Sequence, residues 1–351
     1  MKIAPIDREF ARRGIDTVLV HTGQHYDENM SDVFFQDLNM KAPDVHLNVG
    51  SGTHASQTAK IMIEFEKVCN KNDFSMVVVV GDVNSTIACT LVAKKLGIPV
   101  AHVEAGLRSF DREMPEEINR ILTDSVCDLL LTPSIDGDEN LRNEGVAEER
   151  IKFVGNIMID SLFDALKRVN QIEMPYASNF DVDNYAVVTL HRPSNVDNPE
   201  KLNQLINELI EVSTKIPIIF PMHPRTRNNF NKFGKFDSLS QTKGIHVIEP
   251  LGYLDFVSLI GSSNLVITDS GGLQEETTSL GIPCLTLREN TERPITITEG
   301  TNQLISDLNM LQKAVDESLS LDSKREGKKP KFWDGNTAVR IVDAVTYHLG
   351  R

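Results

Sequence analysis

Cysteine is scarce in this chain, and its four residues, Cys69, Cys89, Cys127 and Cys284, form no CxxC pair. Each stands among apolar or small residues, which excludes a disulfide scaffold and fits reduced, buried thiols. Long apolar runs are missing too. None approaches the ~18 residues that a membrane-spanning helix needs, and the opening MKIAPIDREFARRG has no apolar signal core. Basic residues are outnumbered, 36 Lys and Arg against 50 Asp and Glu, for a formal net charge of −14. Such a chain is a poor general binder of nucleic acid or anionic membrane, although a local basic pocket can exist. A cytoplasmic location is expected. Absent motifs exclude further classes. There is no GxGxxG, since Gly50-Ser51-Gly52 lacks the third glycine, no GxxxxGK[ST], no HExxH and no His/Cys metal spacing. Nothing calls for a metal, and little favours a dinucleotide.

What is present is ordinary globular material, 40% apolar and 25% charged over 351 residues. Single cores rarely exceed roughly 250–300 residues, so two domains are expected. Apolar β-rich runs at 16–21, 76–82, 99–104, 128–133 and 152–155 alternate with helical patterns at 53–69, 85–97 and 115–127. Continuous runs such as Val77–Val80 imply burial on both faces, hence a parallel sheet covered by helices. A polar stretch, 166–184, reads as a linker. The alternation then restarts, with strands at 186–191, 216–223, 244–250, 264–270 and 282–289 and helices near 199–214, 253–261 and 272–280. The expected division is residues 1–168, residues 169–334 and a helix in 335–351 packing back on the first domain. The expected fold is α/β, two Rossmann-like doubly wound domains with the active site in the cleft between them. One feature departs from that pattern. A helical pattern begins at once, with Ile3, Ile6, Phe10 and Ala11, and the first strand appears only at Asp16, as though an opening strand and its loop were absent.

In open α/β sheets, ligands bind beyond the carboxyl ends of the strands. Asp82 follows MVVVVG and either caps the next helix or serves a site. Glu104, directly after PVAHV, is harder to explain as surface charge. Glu116 and Arg120 are four apart on one helix and form either an exposed salt bridge or an acid held beside a cation. His191 and His223 end two strands, with Arg225 and Arg227 near the second; they are satisfied interior groups and solvated charges, or they face a phosphate. The sharpest local signal is ITDSGGLQEETTSLGIP (267–283), where Ser270-Gly271-Gly272 turns from a strand into a helix. Bare N–H groups at a helix N-terminus form an anion site, and glycines let a phosphate come close. Glu275 and Glu276, expected in the first turn, either suit the helix dipole or accept bonds from ribose hydroxyls. Acids, two histidines and arginines at strand ends suit proton transfer on a nucleotide-bearing substrate.

Over nearly the whole chain, Lys2 to about Ile341, the sequence resembles the non-hydrolysing UDP-N-acetylglucosamine 2-epimerases. The strings HTGQHYDENMSDVFF, VVGDVNST, PVAHVEAGLRSFDREMPEEINR, TLHRPSNVDN, TDSGGLQEE and RENTERP carry the resemblance. It implies the GT-B arrangement of two Rossmann-like domains and a reaction without a cofactor. A base removes the C2 proton while the C1–O bond to UDP breaks; the resulting 2-acetamidoglucal is reprotonated on its other face as UDP adds back. The resemblance implies catalytic roles for Asp82, Glu104, Glu116 and His191. It implies substrate contacts for Lys2, Arg120, His223, Phe256, Ser270, Gly271, Gly272, Glu276 and Arg293, with Phe256 against uracil. Gln24 and His25 match an activator-site pair, but Pro193-Ser194-Asn195 replaces the string that accompanies it. The family's opening Gly-Thr-Arg-Pro-Glu-like loop has no counterpart, so a gap beside 16–21 and poor turnover are expected of this form. UDP-N-acetylglucosamine is the expected substrate and a homodimer the expected assembly, with no nucleic-acid or membrane partner. The alternatives are a UDP-2,3-diacetamido-glucuronate 2-epimerase, a non-catalytic UDP-sugar binder and a GT-B glycosyltransferase.

Overall fold

A computed structural model describes residues 1–23, 40–169, 180, 184–320 and 329–351. The chain divides into two compact units, Met1–Ser161 with Lys331–Arg351, and Leu162–Pro330. The division falls inside a helix, Ile157–Val169, so the first residues of the polar stretch at 166–184 are helical rather than linker. Most of the rest of that stretch lies outside the described residues.

The first unit opens with helix α1 (Ile3–Arg12). Its strands are β1 (Val20–His21), β2 (Val45–His46), β3 (Val77–Val80), β4 (Val100–Val103), β5 (Leu129–Thr132) and β6 (Ile151–Phe153). Strands β3-β4-β5-β6 form one parallel sheet in that order. Period-two alternation sends successive side chains to opposite faces. Val79, Val100 and Leu130 pack with Ile61 and Phe65 of α2 (His54–Cys69) and Ala88 and Val92 of α3 (Asn84–Lys95). Ala101, Val103, Leu129 and Leu131 pack with Ile6 and Phe10 of α1 and with Ile341, Val342 and Val345 of the helix Thr337–His348. Both faces are therefore apolar, which is why these strands read as continuous runs. Asp160 accepts bonds from Thr337 N at 3.1 Å and Ala338 N at 2.8 Å, capping that C-terminal helix onto the unit. Strands β1 and β2 pair with each other, Val20 opposite Val45, in a separate parallel sheet. Among the described residues no strand joins β1 to β3, and the apolar run at 16–21 contributes only two strand residues.

Among the described residues the second unit holds six parallel strands, β7 (Ala186–Thr189), β8 (Ile218–Pro221), β9 (Ile245–Ile248), β10 (Leu265–Thr268), β11 (Cys284–Thr286) and β12 (Asn302–Leu304), ordered β12-β11-β10-β7-β8-β9. From β7 the chain winds outward through β8 and β9. It then returns to β10 on the other side of β7 and winds the opposite way. The reversal opens a crevice at the carboxyl ends of β7 and β10, the place where doubly wound sheets bind ligands. Thr189 lies opposite Thr268, so His191 and Asp269 leave the sheet side by side.

Candidate active site

In the second unit the crevice is organised by Asp269. It is fully buried and accepts the backbone N–H of His191 at 3.1 Å, that of Arg192 at 2.9 Å and Asn195 Nδ2 at 3.1 Å. Its Oδ1 lies 3.0 Å from His191 Nδ1. Burial pushes the Asp269 carboxyl up, but His191 and these donors outweigh it and hold the group below the usual carboxylate range. A carboxylate at Nδ1 directs His191 Nε2 outward, and the side chain is 43% exposed. The His223 ring is 5.8 Å away. It caps α4 (Pro224–Lys232), accepting Arg225 N at 3.1 Å on Nδ1. Burial, then the charges of His191 and Arg225, lower its proton affinity.

Ser270 is the N-cap of α6 (Gly271–Leu280), and α5 (Tyr253–Gly261) packs Phe256 against a core that includes Leu273 of α6. At Gly271 a Cβ would stand 2.8 Å from Arg293 Nη1 and 2.8 Å from Glu292 Oε1, so any side chain there displaces Arg293. Arg293 bonds Glu292, and its Nε lies 2.8 Å from Glu275 Oε1 in an ion pair. Tyr253 OH donates to Glu276 Oε1 at 3.0 Å. Burial and the neighbouring Glu275 charge raise Glu276 to about 7 against the Tyr253 bond. The helix N-terminus thus offers unsatisfied backbone donors with a cation and a carboxylate held beside it.

In the first unit, chemistry gathers beyond β3 and β4. Glu104 is buried and adopts φ 70°, a left-handed conformation rare for a residue with a side chain. Lys2 Nζ bonds its Oε2, while its buried Oε1 has no hydrogen-bond partner among the described residues. Gly106, two residues on, packs so tightly that a Cβ would sit 2.3 Å from Gly137 O. Asp82 accepts from Arg120 Nη1. Arg120 is held in turn by Glu117 at 2.8 Å, and Glu117 accepts the N–H groups of Ser109 at 3.0 Å and Phe110 at 2.9 Å. Arg120 and Glu117 hang from one helix, Pro115–Val126, whose buried side is polar: Glu117, Asn119, Arg120, Thr123 and Asp124 face inward, whereas Ile118 and Leu122 are exposed.

A sequence profile described as UDP-N-acetylglucosamine 2-epimerase matches residues 8–346. The UDP-N-acetylglucosamine 2-epimerase of Methanocaldococcus jannaschii is 47% identical over 99% of this chain and 96% of its own. This chain belongs to the UDP-N-acetylglucosamine 2-epimerase family. A crystal structure of the M. jannaschii enzyme in complex with UDP-GlcNAc and UDP superposes with a TM-score of 0.90 at 46% identity, covering 99% of this chain and 96% of that one. A UDP-2,3-diacetamido-2,3-dideoxy-D-glucuronate 2-epimerase of Pseudomonas aeruginosa is 40% identical over 94% of this chain and 91% of its own.

Within this family member the structure draws the expected residues into two groups, one in each unit. Lys2, Asp82, Glu104 and Arg120 belong to the first, and His191, His223, Ser270, Gly271, Gly272, Glu276 and Arg293 to the second, with Phe256 on the helix that carries Tyr253. Several details differ from the sequence expectation. Arg120 pairs with Glu117 and Asp82, not with Glu116, because the helix turns position 117 inward and leaves Glu116 partly exposed without a described partner. Glu275 and Glu276 lie in the second turn of α6, because the helix starts at Gly271; there they face Arg293 and Tyr253 rather than the dipole. Arg225 pairs with Asp197 and Arg227 with Glu249, as solvated charges do. Gln24 and His25 lie outside the described residues. Asp269, Glu117 and Tyr253 were not singled out from the sequence. Asp269 had a signal, an acid directly after an apolar strand and ahead of a glycine turn. No group of three His, Cys, Asp or Glu side chains suited to a metal occurs among the described residues, and no helix there is long and apolar enough to cross a membrane.

Proposed function

We propose that this protein epimerises UDP-N-acetylglucosamine at C2, giving UDP-N-acetylmannosamine, by eliminating UDP and adding it back. The observation that carries the reading is the buried, strained Glu104, with one oxygen held by Lys2 and the other without a hydrogen-bond partner among the described residues, poised to take or give a proton. Asp82, paired with Arg120, and Glu116 supply the complementary acid and base. His191, oriented by Asp269, assists departure of the UDP phosphate. The diphosphate lies on Ser270–Gly272 beside Arg293, the ribose on Glu276 and the uracil against Phe256. Lys2 steadies Glu104, and His223 adds a donor near the phosphates. The UDP-GlcNAc complex of the M. jannaschii enzyme and the identity to it support this substrate over the diacetamido-glucuronate. The test is incubation of UDP-N-acetylglucosamine in heavy water with no acceptor. Deuterium at C2 and formation of the manno epimer are expected. A glycosyltransferase or a non-catalytic binder leaves the C2 proton in place.

Two further outcomes follow from this reading. Glu276→Ala weakens UDP by about 1–3 kcal/mol, the scale of a charged hydrogen bond, measured by calorimetry. Because Glu276 titrates at about 7, UDP binding strengthens as pH rises through that value, when the carboxylate forms and can accept two hydroxyls. Glu276→Gln loses that step, and an unchanged profile argues against Glu276 at the ribose. The raised value also means that the group's favourable contribution to folding, full below the ordinary carboxylate range, declines as pH rises through about 7. The proposed assembly is a homodimer in the cytoplasm. Exposed Phe110, Ile118 and Leu122 supply the apolar surface, and a monomer in sedimentation at micromolar concentration refutes it.

A further inference from the structure

We propose that His102 is a positioning residue that ties the turn bearing Asp82 to the turn bearing Glu104, and that the tie uses both ring nitrogens. The proposal deepens the epimerase reading and rests on it. His102 lies on β4 and is fully buried. Its Nε2 is 2.8 Å from the carbonyl oxygen of Gly81, the residue before Asp82. Its Nδ1 is 2.6 Å from Asp124 Oδ1. The Gly81 carbonyl can only accept. Burial pushes the Asp124 carboxyl up, but His102 and Arg108 outweigh it and hold the group below the usual range, so Asp124 is a carboxylate and also only accepts. Each ring nitrogen is thus engaged by a group on a different element, Nε2 by the turn after β3 and Nδ1 by the helix Pro115–Val126.

The carboxylate extends the tie. Asp124 Oδ2 accepts the Gly106 N–H at 3.0 Å and lies 2.7 Å from Arg108 Nη1. One ring and one carboxylate thus join Gly81, Gly106 and the helix that also sends Arg120 to Asp82. Backbone pairing alone cannot do this. The parallel ladder between β3 and β4 ends with Gly81 N donating to Val103 O at 3.0 Å, one residue short of Asp82 and of Glu104. Two groups that exchange protons with a single carbon must keep their separation within a fraction of an ångström. A displacement of about 1 Å costs on the order of a hundredfold in rate.

The experiment compares His102→Asn, which keeps a nitrogen near Asp124 but loses Gly81, with His102→Gln, which reaches Gly81 but loses Asp124. In the first, kcat falls about a hundredfold while KM and UDP affinity stay within a fewfold, and more 2-acetamidoglucal escapes per turnover. The glutamine variant recovers about tenfold of that loss at a similar Tm. Turnover near that of the unaltered protein in His102→Asn, or losses that merely follow Tm with no change in escaped glucal, overturns the proposal. A measurement on the unaltered protein is independent of whether the variants fold. With nitrogen-15 histidine, a His102 ring N–H is slow to exchange with solvent and shows coupling across its hydrogen bond, and a ring whose protons exchange at the solvent rate overturns the tie. If the unaltered protein fails to exchange the C2 proton, the epimerase reading falls; the nuclear resonance result then still decides whether the tie exists.

Discussion

Replacing Glu104 with glutamine is expected to abolish exchange of the substrate's C2 proton with heavy water while UDP binding persists. Glutamine keeps the volume and can still accept from Lys2, so the buried turn stays filled, but it cannot carry a proton between substrate and protein. Loss of one positioned acid or base costs about a hundredfold to ten-thousandfold in rate. The partly exposed contrast is Glu116, which has no described bond to lose; Glu116→Gln loses rate only if its carboxyl works on the substrate directly. Proton exchange followed by nuclear resonance, with UDP titrated in parallel, separates the two. Near-normal exchange in both variants sinks the assignment of these acids.

The second large effect is expected at Asp269. Its carboxylate accepts two backbone N–H groups and Asn195, and it faces His191 Nδ1. Asp269→Asn places an N–H among these donors. Either the amide oxygen keeps the backbone bonds and His191 loses its orienting partner, or the histidine takes the opposite tautomer and presents a proton differently to the phosphate. Both routes lower turnover by about a hundredfold to ten-thousandfold, the scale of a disabled acid–base group, with UDP affinity nearly retained. Stability has a sign of its own. A depressed carboxyl contributes stability that is present above the ordinary carboxylate range and is lost as pH falls through the depressed value. The asparagine variant lacks that contribution, so its Tm declines less steeply in acid than that of the unaltered protein. Turnover within threefold of normal, or an unchanged acid limb, refutes Asp269 as the group that orients His191.

Much of the fold was legible in the residues because the strands are buried on both faces. Runs such as Val77–Val80 and Leu129–Leu131 have no polar alternation to blur them, so the order of strands and helices in both units could be read from one period giving way to another. The glycine turn at Ser270–Gly272 was equally plain, since a strand, a tight turn and a helix leave little else for those residues to be. The sequence alone therefore determined the α/β class, the repetition of the unit and the glycine turn between strand and helix. The tertiary structure decided which carboxylate meets which cation. The helix Pro115–Val126 turns Glu117, Arg120 and Asp124 into the protein and leaves Ile118 and Leu122 outside, the reverse of an ordinary amphipathic helix. Read by spacing, Glu116 and Arg120 were the natural pair; in space, Arg120 is claimed by Asp82 and Glu117, which lie 38 and 3 positions away. Asp269 and His191 are 78 positions apart, yet they meet because β10 returns to the side of β7, and His102 meets Gly81 and Asp124 because β4 pairs directly with β3 and the helix that follows β4 brings Asp124 back to it. Local chemistry sets which residues are helix, strand or turn. Which buried charges neutralise one another depends on strand order and helix rotation, and those are settled only when the whole core packs.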